Sequence, residues 1–308
     1  MISLTTIWNP SPEIFNLFGI SVRYYGMMFV ISFLLGVYIL KNIYKKENVA
    51  IEHVDNLFVY IVVATILGAR LGDVFFYSWD YYQNHYLEIL LPIKETSDGW
   101  EFVGFRGLAS HGATIGIIIG MYIYSRKYTY RPLLWVLDRI VIPVASGAAF
   151  VRLGNLMNSE IIGKVTDSSL GFQFIRDKYS PYEAMFITKT TSENKAFDLI
   201  QNSPRFKQYL AEVPFRYPTQ IFESFSYALI FVILWFVYWK TNKKEKAGYL
   251  FGLFMALLWS VRFVIEFFKE AQVESREDWV GVLNTGQLLS IPLFLVGLFF
   301  MFRKSKID

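Results

Sequence analysis

The 308-residue chain has no cysteine and only three histidines, His53, His85 and His111. The first absence excludes a disulfide, a thiolate metal site and a thiol nucleophile carried by the protein itself. The second leaves too few imidazoles for a histidine-rich metal centre. Charge is scarce too: Asp, Glu, Lys and Arg make up 18% of the residues, against 54% hydrophobic and 19% aromatic. That balance, with a mean hydropathy of +0.34, is too apolar for an ordinary soluble enzyme of this length and points to a polytopic membrane protein. Low-complexity tracts, solenoid-period repeats and transporter-like inverted halves are absent as well.

What is present is a series of apolar runs. Residues 20–40, 57–77, 111–125, 133–151, 220–239, 248–268 and 283–302 read as seven spans, each near the ~20 residues that cross ~30 Å of hydrocarbon. The third run is short and glycine-rich, and the fourth contains Pro143. Residues 1–19 lack a basic n-region and carry Pro10, Pro12 and Glu13, so they read as a segment at the membrane surface, not a cleaved signal peptide.

The formal net charge of +4 does not indicate a nucleic-acid partner, because the basic residues lie between the runs and form no single patch. Lys41, Lys45 and Lys46 follow the first run, Arg126, Lys127 and Arg131 the third, Lys240, Lys243, Lys244 and Lys246 the fifth, and Arg303, Lys304 and Lys306 the last. The alternate connections are acidic (80–101) or mixed (269–278). The positive-inside rule then puts the C-terminus in the cytoplasm and the N-terminus outside, as an odd number of spans requires. The expected fold class is an all-α integral membrane protein of about seven helices. Residues 179–217, with Pro181, Pro204 and Pro214 and with Phe186, Phe197, Phe206 and Tyr209 for a modest core, form a small extracytoplasmic head insertion between spans four and five.

Four polar groups stand against this apolar background, each near the outer end of a span. Polar side chains at that depth cost several kcal/mol unless paired or hydrated. The first, in AAFVRLGNLMNSEIIGK from Ala148, holds Arg152, Asn155, Asn158, Ser159 and Glu160. Arg152 and Asn155 are three apart and share a helical face, so a guanidinium fork and a carboxamide can address one oxyanion. An interfacial helix end, with Arg152 at lipid phosphates and the asparagines as caps, accounts for them equally. The second is RGLASHGATIG from Arg106, where His111 is either a base titrating near neutrality or a hydrogen-bonded structural residue. The third pairs Arg262 with Glu266 at i, i+4, for mutual neutralisation or for holding the arginine toward an anion. The fourth is YPTQIFE from Tyr217, with Gln220 and Glu223 facing the bundle as helix-joining groups. Arg70 with Asp73 and Asp138 with Arg139 read as intramembrane charge pairs.

Taken together, RYYG at Arg23, SHGATIG around His111, RLGNLMNSEIIGK from Arg152, YPTQIFES from Tyr217, RFVIEFF from Arg262 and GQLLSIP from Gly286 resemble the bacterial prolipoprotein diacylglyceryl transferases, in that family's order and over nearly the whole chain. The resemblance implies a multi-pass enzyme of the bacterial inner membrane with its active site toward the outer leaflet. Such an enzyme moves the diacylglyceryl group of phosphatidylglycerol to the lipobox cysteine of a preprolipoprotein, forming a thioether and releasing glycerol phosphate. Its partners would be phosphatidylglycerol, lipobox signal peptides and membrane lipid, with no cofactor, metal or nucleic acid. The missing cysteine fits, since the attacking thiol is the substrate's. Carried over by position, the resemblance implies a site of His111, Arg152 and Arg262 in catalysis, with Tyr25, Asn155, Glu160, Gly163 and Glu266 at the substrate. Tyr217 departs from the family's frequent histidine, Ser159 and Ala113 from glycines, and Lys164 from arginine. A non-enzymatic lipid or anion transporter, its arginines binding phosphate along a path, is the alternative from another class.

Overall fold

The computed structural model of the chain describes residues 6–17, 20–91, 93–96, 99–102, 107, 109–270 and 283–304. Arg106 and the charged residues from Glu274 to Asp278 in the connection after the sixth run lie outside the described residues. The chain is mostly helical, at about 69%. Its helices of eight residues or more are α1 (Tyr24–Lys46), α2 (Glu52–Phe76), α3 (Ser110–Lys127), α4 (Leu133–Met157), α5 (Pro181–Thr188), α6 (Glu193–Asn202), α7 (Thr219–Lys240), α8 (Tyr249–Ile265) and α9 (Thr285–Phe302).

Each of the seven apolar runs forms a helix. Of these, α1, α2, α4, α7 and α9 are long and apolar enough to cross a membrane by length and composition. The glycine-rich α3, which closes on Arg126 and Lys127, and α8, with 17 residues, fall outside that set.

Short strands accompany the helices. The described part of the first 23 residues is extended, as β1 (Thr6–Trp8), β2 (Glu13–Leu17) and β3 (Ile20–Arg23), so α1 starts only at Tyr24. β2 and β3 form an antiparallel hairpin. β1 pairs in parallel with β6 (Phe172–Phe174), which pairs antiparallel with β7 (Phe215–Arg216), while β4 (Ile93–Thr96) and β5 (Gly99–Phe102) form a second hairpin. Pro10 and Pro12 cannot donate to a ladder and therefore fall between strands.

The chain divides into two compact units, residues 39–136 and residues 1–38 with 137–308. In the first, α2 and α3 meet backbone to backbone: a Cβ on Gly68 would lie 2.5 Å from the Gly112 carbonyl oxygen, and one on Gly72 2.5 Å from the Gly112 Cα. Glycine every four residues, at 112, 116 and 120, makes that approach possible and also depletes the apolar signal of the third run. Arg70 donates to the Glu88 and Ile89 carbonyls and lies over the Tyr82 ring, so backbone oxygens take much of its donor capacity.

In the second unit α8 packs along α9, where Gly252 and Gly297 admit close backbone approach. Asp138 near the start of α4 does more than face Arg139. Its Oδ2 accepts from Gly248 N at 2.7 Å and its Oδ1 from Phe251 N at 2.8 Å, capping α8 from another helix, while Arg139 Nη1 stands 3.7 Å off. Residues 175–213 carry a small core of their own around Ile175, Ala184, Phe197 and Ile200, to which Ile7 of β1 adds. Ser180 and Glu183 close a capping box at the start of α5, with Pro181 in its first turn.

Candidate active site

The polar groups of the second unit converge on the end of α4. Arg152, in the last turns of that helix, donates from Nη1 to Asn155 Oδ1 at 3.2 Å, the same-face contact that the spacing of three requires. Its Nε lies 2.7 Å from Glu223 Oε2, an ion pair close in distance although its angle departs from a straight hydrogen bond. A guanidinium has five N–H donors, more than these contacts use.

The chain leaves α4 through a turn in which Ser159 and Ile161 both adopt positive φ, 55° and 58°. That turn points Glu160 back over the helix end: its carboxylate accepts from Asn158 Nδ2 at 3.1 Å and Asn155 Nδ2 at 3.4 Å. Its carbonyl accepts from Gln220 Nε2 at 2.6 Å, and Thr219 Oγ1 donates to the next carbonyl, Ile161 O. The loop then extends alongside two other segments, with Gly163 N donating to Tyr217 O at 2.9 Å and Lys164 N to Phe268 O at 2.8 Å. A Cβ at Gly163 would lie 2.6 Å from the Tyr217 oxygen and 2.7 Å from that of Phe268, so only glycine fits. Gly154 admits the Tyr25 ring, whose phenol sits beside Asn155, Arg152 and Glu160.

The first three turns of α7 supply the opposing face. Thr219, Gln220, Glu223, Ser224 and Tyr227 are all buried, and Tyr227 stands near Glu223, Arg152 and Arg262. Arg262, on the last turn of α8, has its guanidinium 5.7 Å from the Trp259 ring centre, and its Nε is buried with no hydrogen-bond partner among the described residues. Glu266 points elsewhere: its carboxylate packs against Gly286 at the start of α9, and among the described residues it forms no ion pair with Arg262. Lys269 follows, 7% exposed, with Nζ 3.8 Å from Glu223 Oε1. Burial holds its ammonium below the usual lysine range, and the Glu223 carboxylate opposes that shift.

Tyr25, Arg152, Asn155, Glu160, Gly163, Arg262 and Glu266 therefore belong to this unit; hydrogen bonds join Arg152, Asn155 and Glu160, and Arg262 and Glu266 both stand near Lys269. His111 belongs to the other unit, in the first turn of α3, where its side chain is exposed and has no hydrogen bond, ion pair or ring contact among the described residues. The other two histidines are engaged: His53 stacks on Tyr130 at 3.8 Å, and His85 stacks on Tyr81 at 4.2 Å. Among the described residues no cluster of histidine and acidic side chains could hold a metal.

Glu223 is the group whose importance the sequence understates. It reads there as a helix-joining acid, and its signal is only the recurrence of polar residues at 220, 223, 224 and 227 along one face of an apolar helix. Lys269 carries no signal beyond its place in a mixed-charge connection.

A family model described as prolipoprotein diacylglyceryl transferase matches residues 12–303. Among curated relatives, a phosphatidylglycerol–prolipoprotein diacylglyceryl transferase of Bacteroides fragilis is 38% identical over 304 residues, covering 98% of this chain and 96% of its own. Proteins of the same name from Chloroherpeton thalassium and Tolumonas auensis are 37% and 35% identical, with 97% of this chain covered in both and 94% and 97% of theirs.

Proposed function

The chain belongs to the prolipoprotein diacylglyceryl transferase family, and we propose that its buried arginine cluster is where phosphatidylglycerol gives up its diacylglyceryl group to a preprolipoprotein. The enzyme is a transferase acting on those two substrates. The acceptor is the lipobox cysteine thiol, and the protein sits in the bacterial inner membrane as a seven-span bundle with the site toward the outer leaflet. The basic connections after the first, third, fifth and last runs support that orientation.

In the reaction a carbon–sulfur bond forms at the terminal glyceryl carbon as the carbon–oxygen bond to phosphate breaks. The electron pair leaves on the phosphate, giving glycerol phosphate, and the thiol proton must go to a base. Arg152 and Arg262 stabilise the charge growing on that phosphate, an effect worth several kcal/mol where water is excluded. Asn155 orients the head group, Tyr25 and Glu160 close the site around it, and the Gly163 strand holds the loop in place. Glu266 sits beside the α9 start and shapes the Arg262 side. His111, exposed and uncommitted, accepts the thiol proton.

The observation that carries this reading is the Arg152 side chain held at Nε by Glu223 and at Nη1 by Asn155, with donors to spare for an oxyanion. Incubating the purified protein with labelled phosphatidylglycerol and a lipobox peptide tests it. Label appearing on the peptide supports the transferase; label that only changes leaflet supports a transporter. Arg152→Lys and Arg262→Lys keep charge but lose the fork, and each should slow transfer by roughly tenfold or more. Full activity in both would overturn the clamp.

A further inference from the structure

Glu223 presents a problem that the proposed clamp alone does not solve. Its carboxylate is 1% exposed within an apolar helix and sits against Arg152, so on its own it would cancel the charge that an anionic substrate is meant to meet. Lys269 stands on the far side of the same carboxylate. One oxygen, Oε2, is 2.7 Å from Arg152 Nε; the other, Oε1, is 3.8 Å from Lys269 Nζ.

We infer that Lys269 is a positioning residue of the anion site, holding the outer oxygen of Glu223 so that the carboxylate grips Arg152 without neutralising the cluster. The three groups together carry one net positive charge, whereas Arg152 with Glu223 alone carry none. The inference deepens the proposed function and rests on it for the identity of the anion.

The backbone around Lys269 fits such a role. Lys269 forms an antiparallel bridge with Gly163, and the Phe268 carbonyl accepts from Lys164 N. The ammonium is thereby placed by the same loop that leaves Arg152 and Glu160 at the end of α4. Among the described residues the other charged groups near Lys269 are Arg152, Arg262 and Glu266, so its long stem delivers charge to the cluster. A lysine this buried has three donors, and the single ion pair among the described residues leaves it dependent on Glu223.

The test is a double-mutant cycle read as KM for phosphatidylglycerol and kcat of peptide labelling, with direct binding of phosphatidylglycerol to the purified full-length chain in nanodiscs alongside. Lys269→Met should raise KM and weaken binding roughly tenfold to a hundredfold, with a smaller change in kcat. Lys269→Arg should restore both to within about threefold, since it returns the charge. In a Glu223→Gln background, Lys269→Met should have little further effect, because the carboxylate it balances is gone. An undiminished loss in that background would overturn the inference, since Lys269 would then touch the substrate itself. Unchanged KM and binding in Lys269→Met would overturn it too, as would a Lys269→Arg variant no better than Lys269→Met. A chain with Lys269-dependent binding that labels no peptide would uphold the inference and overturn the transferase reading instead.

Discussion

Glu223 Oε2 lies 2.7 Å from Arg152 Nε, joining α7 to the end of α4 by a charge pair that is almost wholly buried. Removing one partner of such a pair leaves the other uncompensated, which costs about 3–5 kcal/mol in a fully buried setting. Glu223→Gln keeps shape and loses charge while Arg152 keeps its Asn155 contact and some solvent, so the expected loss is toward about 3 kcal/mol. Thermal unfolding of the purified variant measures it, and an unchanged midpoint would show the pair to be dispensable to the fold.

Gly163→Ala places a methyl group against two carbonyl oxygens at under 3 Å. Overpacking of this kind costs about 1–3 kcal/mol, and here the obstacles are backbone and cannot rotate away. The variant should lose thermal stability and most transfer activity together. Normal activity at a lowered midpoint would mean that the loop can shift without disturbing Arg152.

Ser159→Gly should have the opposite sign. Ser159 holds φ 55°, in the left-handed region, and its buried hydroxyl has no hydrogen-bond partner among the described residues. Glycine relieves roughly 1 kcal/mol of backbone strain and removes the stranded hydroxyl. A higher unfolding midpoint with transfer intact is expected; a lower one would reveal a hydrogen bond made by Ser159 in the working enzyme.

His111→Gln should lower kcat by about 10²–10⁴ with little effect on unfolding, as loss of a general base does. His53→Gln provides the contrast, because the His53 ring is stacked on that of Tyr130. Its loss should appear in the melting curve, with the transfer rate of the folded fraction retained. Full transfer by His111→Gln would return His111 to a structural role.

The start of α5 should respond to acid. The backbone and side chain of Ser180 donate to the Glu183 carboxylate and hold its pKa below the ordinary value. A depressed carboxylate contributes stability above its unfolded pKa and loses it as pH falls through the folded one. Protection of the amides near Glu183, taken as their exchange rate relative to the unfolded chain at the same pH, should therefore fall only below about pH 4.5, and Glu183→Gln should abolish that dependence. A pH-independent protection factor in the unmodified protein would count against the capping box.

The helices were legible because seven apolar runs announce themselves, and the Arg152–Asn155 contact because a spacing of three fixes a face. Glu223 was not, since its partner is 71 residues away in sequence and nothing local distinguishes a buried counter-ion from a polar helix-joining acid. Arg262 and Glu266 show the converse failure. Their spacing permits an ion pair, yet Gly286 opens room on α9 and the carboxylate turns there. The short strands were hidden for a different reason: two to five residues are too few for a period-two pattern to emerge beside long apolar helices.

The cap that Asp138 places on α8 has a geometric corollary. Arg152 comes fourteen residues after Asp138 along α4, and Arg262 fourteen residues after Gly248 along α8. At helical rise both distances are about 21 Å. Two helices latched at one end thus act as rulers read from a common zero, and the level of the Arg152 and Arg262 guanidinium groups is set at the far ends of their own helices.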